Sequence, residues 1–230
     1  MLKLEHITKT FFVGDEPVYA LRDVNLHVKP YEFVAICGPS GSGKTTLMNI
    51  MGCLDTADTG SYLLDGIDIN DCTDEELSDI RSRKIGFVFQ QFNLLPQMSA
   101  LENVELPMIY QKVPARERMQ RAKAALEMVG LENRIHHTPE QLSGGQQQRV
   151  AIARALASNQ SGVILADEPT GNLDTKSGND IMQYFTDLAA NKTHTVILIT
   201  HNPEIAEQAQ RTVFVRDGIL YEKAGENEII

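Results

Sequence analysis

Three short runs in this chain combine residue types that handle phosphate. Gly38-Pro39-Ser40-Gly41-Ser42-Gly43-Lys44-Thr45 has the spacing G-x-x-x-x-G-K-[ST] between an apolar run and a helical stretch. Its glycines allow a tight path that turns successive N–H groups toward one anion. Lys44 adds a point charge for the outer phosphates, and the Thr45 hydroxyl can ligate Mg²⁺. Val163-Ile164-Leu165-Ala166-Asp167-Glu168 reads as an apolar strand ending in two carboxylates. Asp167 at its tip is placed to bind Mg²⁺, and Glu168, pointing to the other side, to face an attacking water. Leu142-Ser143-Gly144-Gly145-Gln146-Gln147-Gln148-Arg149 opens a helix stripped of bulk. Amides and macrodipole at such a start attract anions. A bound nucleoside triphosphate accounts for the first two runs. The third is a second cradle, which needs a second phosphate or a second copy of the chain.

The elements that must position these runs follow from periodicity. Residues 1–30 read as strands, with Val24, Leu26 and Val28 alternating with polar neighbours as in a sheet with one solvated face. Phe33 to Cys37 is a buried central strand feeding Gly38 and a helix that continues past Met51. Leu63-Leu64-Asp65-Gly66 reads as a strand and turn, Thr73 to Glu76 as a capping box, and Ile85 to Phe89 as a strand. From about 91 to 158 the pattern is helical, with a capping box at Ser99–Glu102, Pro114 in a first turn and Gly130 as a stop. Then come Val163 to Asp167 as strand, 175–190 as helix, 195–199 as strand, a helix after Pro203 and two short strands near 212–222. Strands alternating with helices imply a parallel sheet covered on both faces.

At 230 residues, with 42% hydrophobic and 23% charged residues, the chain suits one soluble globular domain with an inserted lobe. A formal net charge of −10 argues against a general nucleic-acid binder. Cys37, Cys53 and Cys72 form no CxxC, fall in or beside apolar segments, and fit packing in a reducing compartment. No run has the length of a membrane span and the first residues lack a signal-peptide core, so the expectation is a cytoplasmic protein.

Taken in order, these motifs resemble those of the ABC-type ATPases over essentially the whole chain. Leu142 to Gln146 resembles the family's signature, Gln90 after the Ile85–Phe89 strand its Q-loop glutamine, Asn172-Leu173-Asp174 its D-loop, and His201 its switch histidine. The resemblance implies an α/β P-loop NTPase core with a parallel sheet, an N-terminal antiparallel β subdomain and an inserted helical lobe. Within one domain spanning 1–230, the core would take 1–90 and 159–230 and the lobe about 91–158. It also implies a head-to-tail homodimer with two ATP molecules at its interface. Each ATP would sit on one subunit's Gly38–Thr46 loop, contacted by Gly38, Ser40, Gly41, Ser42, Gly43, Lys44, Thr45 and Thr46. The other subunit's Ser143, Gly144, Gly145, Gln146 and Asp174 would close over it. Lys44, Glu168 as general base and His201 on the γ-phosphate would carry hydrolysis, with Thr45, Gln90 and Asp167 on Mg²⁺. Phe11 occupies what looks like the adenine-stacking position, where tyrosine is commoner; a packed aromatic of the first hairpin is the other reading.

Segments 49–55, 86–96 and 101–107 are similar to the branch serving macrolide efflux, lipoprotein release and peptide resistance. An integral membrane permease subunit would dock near Gln91–Asn103, holding the protein at the inner face of the cell membrane. Phe92, Leu94 and Leu95 fit such an apolar site equally with packing between lobes. A regulatory complex signalling to a cell-wall enzyme or sensor kinase stays open, as does a soluble ATPase acting on nucleic acid. His136-His137 lacks further metal ligands and reads as a solvated loop, and Glu117 can pair with Arg121 on a solvated helix face.

Overall fold

The computed structural model describes residues 1–159 and 162–222. Contacts divide the chain into two compact units, Met1–Ser78 with Ile197–Ile230, and Asp79–Val196. In chain order the elements are β1 (Leu2–Val13), β2 (Glu16–Val28), β3 (Phe33–Cys37), α1 (Lys44–Met51), β4 (Thr59–Leu64), β5 (Ile67–Asp68), α2 (Asp74–Lys84), β6 (Ile85–Phe89), α3 (Ala100–Tyr110), α4 (Ala115–Met128), α5 (Gly144–Ser158), β7 (Val163–Asp167), α6 (Thr175–Ala190), β8 (Thr195–Thr200), α7 (Pro203–Ala206), β9 (Arg211–Arg216) and β10 (Ile219–Tyr221).

In the first unit β1 and β2 form a long antiparallel hairpin with Leu2 opposite Val28 and Phe11 opposite Val18. β4 and β5 complete a sheet in the order β2-β1-β4-β5. The alternation in β2 buries Val24, Leu26 and Val28 and leaves His27 exposed, as its sequence implies. β3 is buried at every position and lies between β9 and β8. It runs parallel to β9, with Cys37 opposite Phe214. The helix expected to continue past Met51 instead ends there: Gly52 donates its N–H to the Met48 carbonyl, Cys53 donates its own to the Ile50 carbonyl, and Cys53 turns to φ +53°. The Thr73–Glu76 capping box forms, each backbone N–H reaching the other side chain.

In the second unit β6 and β7 pair in parallel, from Ile85 opposite Val163 to Phe89 opposite Asp167. Helices α3, α4 and α5 pack on one another, and α5 packs on β6. The capping box at Ser99 starts α3, and α4 begins directly after Pro114 and closes before Gly130. Gln111, buried, ties these helices to neighbouring segments by donating to the carbonyls of Ser82 and Ser158.

His194, buried before β8, bonds the Asn159 carbonyl at 2.6 Å through Nε2, which therefore carries the proton. Its Nδ1 is buried with no hydrogen-bond partner, and burial lowers its pKa from the usual 6.5. A lowered histidine pKa leaves stability intact above about 6.5 and erodes it as pH falls toward the folded-state value. His194→Gln keeps a donor for Asn159 and cannot titrate. Its thermal midpoint should therefore fall less steeply than that of the unsubstituted protein between about pH 7 and pH 5. Parallel curves for the two proteins would remove His194 from the acid response.

Candidate functional site

In the first unit the carboxyl end of β3 runs into the Gly38–Thr45 loop, and α1 begins at Lys44. Gly43 sits at φ +107°, and a Cβ there would collide with the Ala20 carbonyl oxygen, so both conformation and space demand glycine. The loop is anchored where the Gly218 N–H donates to the Ser42 carbonyl at 3.0 Å. Lys44 Nζ donates to the carbonyls of Gly38 and Pro39, each at 2.7 Å, curling over its own loop. Ser42 is 4% exposed, and its Oγ has no hydrogen-bond partner. An unpaired buried hydroxyl costs free energy, so Ser42 carries a donor without a partner in the same loop that holds the Lys44 ammonium. Ser40, Gly41 and Thr45 are exposed along the same loop, while Thr46 is half-buried. Phe11 is 44% exposed, with Lys9 Nζ 5.5 Å from its ring centroid. That lysine is pinned by Asp55 at 2.8 Å, so Phe11 presents a ring with one face toward a fixed cation. His201 is exposed just beyond β8.

In the second unit the register of β6 and β7 sets Gln90 and Glu168 just beyond adjacent carboxyl ends, where open α/β sheets place their ligands. Asp167 is half-buried at the tip of β7. Glu168 adopts φ +46°, a left-handed conformation that is uncommon outside glycine and recurs where strain is held at functional sites. The turn after it is closed by Gly171 N–H to the Glu168 carbonyl at 3.0 Å and Leu173 N–H to the Thr170 carbonyl at 3.1 Å. Gln148, fully buried on α5, donates to the Pro169 carbonyl at 2.7 Å. Across the turn, Gln90 Nε2 donates to Asn172 Oδ1 at 3.2 Å, and Asn172 Nδ2 donates to the Gln90 carbonyl at 3.0 Å. A Cβ on Gly171 would lie 2.7 Å from Gln90 Nε2, so the glutamine side chain rests directly on this turn.

Ser143 is the N-cap of α5, and a capping box engages both it and Gln146: Gln146 N–H bonds Ser143 Oγ at 3.3 Å, and Ser143 N–H bonds Gln146 Oε1 at 2.9 Å. Part of the helix start expected to be bare is thus internally capped. The N–H groups of Gly144 and Gly145 lie between these two satisfied positions. A Cβ at Gly145 would sit 2.9 Å from Ser177 Oγ. The same Ser177 donates its N–H at 3.0 Å and its hydroxyl at 2.7 Å to Asp174, the N-cap of α6. Those bonds hold the Asp174 carboxyl below the ordinary aspartate range.

Among the expected site residues, the second unit therefore brings Gln90 onto the Glu168–Leu173 turn and Gly145 onto the Asp174 cap. Phe11, the Gly38–Thr46 loop and His201 belong to the first unit. Asn103 is a correction: it is fully buried rather than part of an exposed surface, and its side chain bonds the backbone of Leu95, Met98 and Ser99. Leu95 is 44% exposed, whereas Phe92 and Leu94 are half-buried. Two supporting residues have no role in the sequence reading, Gln148 and Arg154, and Asn172 figures there only as part of the D-loop. Arg154 donates to the carbonyls of Asn93 at 2.6 Å and Phe92 at 3.0 Å, residues at φ +50° and +60°. A lone arginine within the apolar run Val150–Ala157 was its only sequence signal. Among the described residues no cluster of three metal-ligating His, Cys, Asp or Glu occurs, and no helix is long and apolar enough to cross a membrane.

Comparison with known proteins places these features in context. The family model described as ABC transporter matches residues 21–171. The ABC transporter ATP-binding protein YvrO of Bacillus subtilis is 57% identical over 220 residues, covering 96% of this chain and 95% of that protein. The macrolide export ATP-binding/permease protein MacB of Brucella melitensis is 51% identical across all of this chain, which spans 35% of MacB. Among solved structures, the dimeric post-hydrolysis cassette MJ0796 of Methanocaldococcus jannaschii, bound to ADP and Pi, matches with a TM-score of 0.86. It is 49% identical, with 98% of this chain and 100% of that one covered.

Proposed function

This chain belongs to the ABC transporter family of ATP-binding proteins, and from that premise we propose that it drives a separate membrane subunit by ATP-dependent closure of a head-to-tail homodimer. It is an ATP hydrolase with an α/β P-loop NTPase fold. The observation that carries the reading is the Gly38–Thr45 loop, where Gly43 needs its left-handed conformation and Ser42 keeps a buried hydroxyl unpaired.

In this proposal Lys44 exchanges its loop carbonyls for the outer phosphates, and the loop amides with Ser40, Gly41, Ser42 and Thr46 cradle the rest. Phe11 stacks on the base; a phenyl ring offers area but no hydroxyl, so base discrimination is weak. Thr45, Gln90 and Asp167 are hard oxygen donors, the set that suits Mg²⁺ completed by water and phosphate rather than an all-protein cage. Mg²⁺ bound there neutralises charge on the transferring phosphoryl group. Glu168 takes the proton from the attacking water, and His201 steadies the γ-phosphate. Ser143, Gly144, Gly145 and Gln146 of the second copy close over that phosphate, with Asp174 at the joint. MacB, by its name, joins an ATP-binding part to a permease; the permease that this chain serves would dock near Gln91–Asn103 through Leu95 and its neighbours. That places the protein at the cytoplasmic face of a membrane, with cargo set by the partner.

The test is Mg²⁺-dependent ATP turnover by the purified chain and by Lys44→Ala. Removal of one pre-positioned charge should slow turnover by at least about 10²-fold. Undiminished turnover in Lys44→Ala would show that the loop is not the hydrolytic site. Co-purification of an integral membrane protein with the tagged chain tests the partner.

A further inference from the structure

We propose that Asn172 is a positioning residue that decides which end of the Gln90 amide is offered to the Mg²⁺ site. The inference rests on the Mg²⁺ role proposed for Gln90 and extends it.

A primary amide has an oxygen that attracts a cation and an NH₂ of nearly the same shape that repels one. Nothing intrinsic to glutamine selects between the two. In this structure the selection follows from a chain of fixed partners. The Gln90 main-chain carbonyl can only accept. It receives Asn172 Nδ2 at 3.0 Å, which fixes the orientation of the Asn172 amide. With Nδ2 committed, Asn172 presents Oδ1, which can only accept, to the Gln90 side chain, and Gln90 meets it with Nε2 at 3.2 Å. The donor end of Gln90 is thereby occupied and Oε1 is the end left over. Gly171 supports the arrangement from below: the Nε2 end lies where a Cβ would be only 2.7 Å away, so a larger residue would push the glutamine off the turn. Both amides are exposed, so water is the competitor, and the paired bonds do work that a single bond in water would not.

Asn172 also stands in the turn that begins at Glu168 and ends at the Asp174 cap. One side chain therefore joins the residue meant to hold the cation to the turn carrying the general base.

The experiment measures binding of a ribose-labelled fluorescent ATP, in EDTA and across a Mg²⁺ titration. It compares the unsubstituted chain with Asn172→Ala, Gln90→Ala and the double variant. Asn172→Ala should raise the Mg²⁺ concentration for half-maximal response. The expected range runs from about twofold, for a freely flipping amide, to about tenfold if the glutamine also regains its rotamers. Binding in EDTA should stay unchanged, and in the Gln90→Ala background Asn172→Ala should add nothing. In ¹H–¹⁵N spectra, the Gln90 side-chain amide pair should lose its distinct shifts in Asn172→Ala. An unaltered Mg²⁺ response with unaltered Gln90 amide signals overturns the proposal. So does an equal loss of binding in EDTA, which would mark Asn172 as merely structural. A normal Mg²⁺ response in Gln90→Ala would instead remove the Mg²⁺ role of Gln90, and the proposal with it. Loss of all nucleotide binding by the unsubstituted chain would overturn the ATPase reading itself.

Discussion

Replacing Glu168 with glutamine is expected to leave ATP binding intact, slow hydrolysis by about 10²- to 10⁴-fold, and accumulate an ATP-bound dimer. The rate estimate is what a positioned general base contributes. The exchange is close to isosteric, and the turn beyond Glu168 is closed by main-chain bonds, Gly171 to Glu168 and Leu173 to Thr170, which the side chain does not make. Pro169 remains held by Gln148. The left-handed φ of +46° is an expense of the backbone that Gln bears as Glu does. Fold and nucleotide pocket should therefore survive while the base is lost. In the proposed dimer, removing one carboxylate charge per site would also lessen repulsion in an interface that gathers phosphates. Size exclusion with light scattering, run with and without ATP, reads the dimer, and phosphate release reads the rate. A monomer with undiminished turnover would sink both the base and the trapped dimer.

The second large effect is expected from Ser143→Arg: loss of ATP-driven dimerisation and turnover with single-chain ATP binding retained. Ser143 is exposed, so an arginine fits in the monomer, and in the proposed dimer it would occupy the space of the partner's triphosphate. The substitution also removes the hydroxyl that accepts the Gln146 N–H, at a cost of about 1 kcal/mol. Gln146 would still accept the main-chain N–H of residue 143, so half of the capping box persists. Ser143→Ala separates the two causes, because it loses the cap without adding bulk. If Ser143→Ala abolishes dimerisation as fully as Ser143→Arg, the cap rather than steric exclusion is responsible. Loss of ATP binding by the Ser143→Arg monomer would place Ser143 in its own chain's site.

Much of this was legible in the sequence because it is local. The phosphate loop, the apolar strand before Asp167 and the capping boxes at Thr73 and Ser99 each depend on residues within a few positions of one another, whereas the box at Ser143, equally local, reads as a bare helix start. The basic stretch on α4 likewise behaves as its spacing implies, with Glu117 paired to Arg121. What the sequence hid depends on distant partners. Gly145 looked like an open cradle residue, yet its missing side chain also makes room for Ser177, thirty-two positions later. Asn103 sat in a stretch that reads as surface but folds inward to hold the backbone around Leu95. The Gln90–Asn172 pair spans 82 residues and carries no periodic signal at all.

The bonds from Arg154 to the carbonyls of Phe92 and Asn93 have a mechanical meaning. Arg154 lies eleven residues along the helix from Ser143, about 16 Å at the rise of an α-helix. Its guanidinium grips a backbone kink that two left-handed residues make stiff, and burial strips the grip of competing water. The helix is thus held at Arg154 as well as by its neighbours, and its first turn carries the serine and glycines that the proposed dimer would offer to another copy. In that dimer, a shift of the kink would be passed to the same helix that carries Ser143, so a contact made near Leu95 and one made at the partner's phosphate share a single lever.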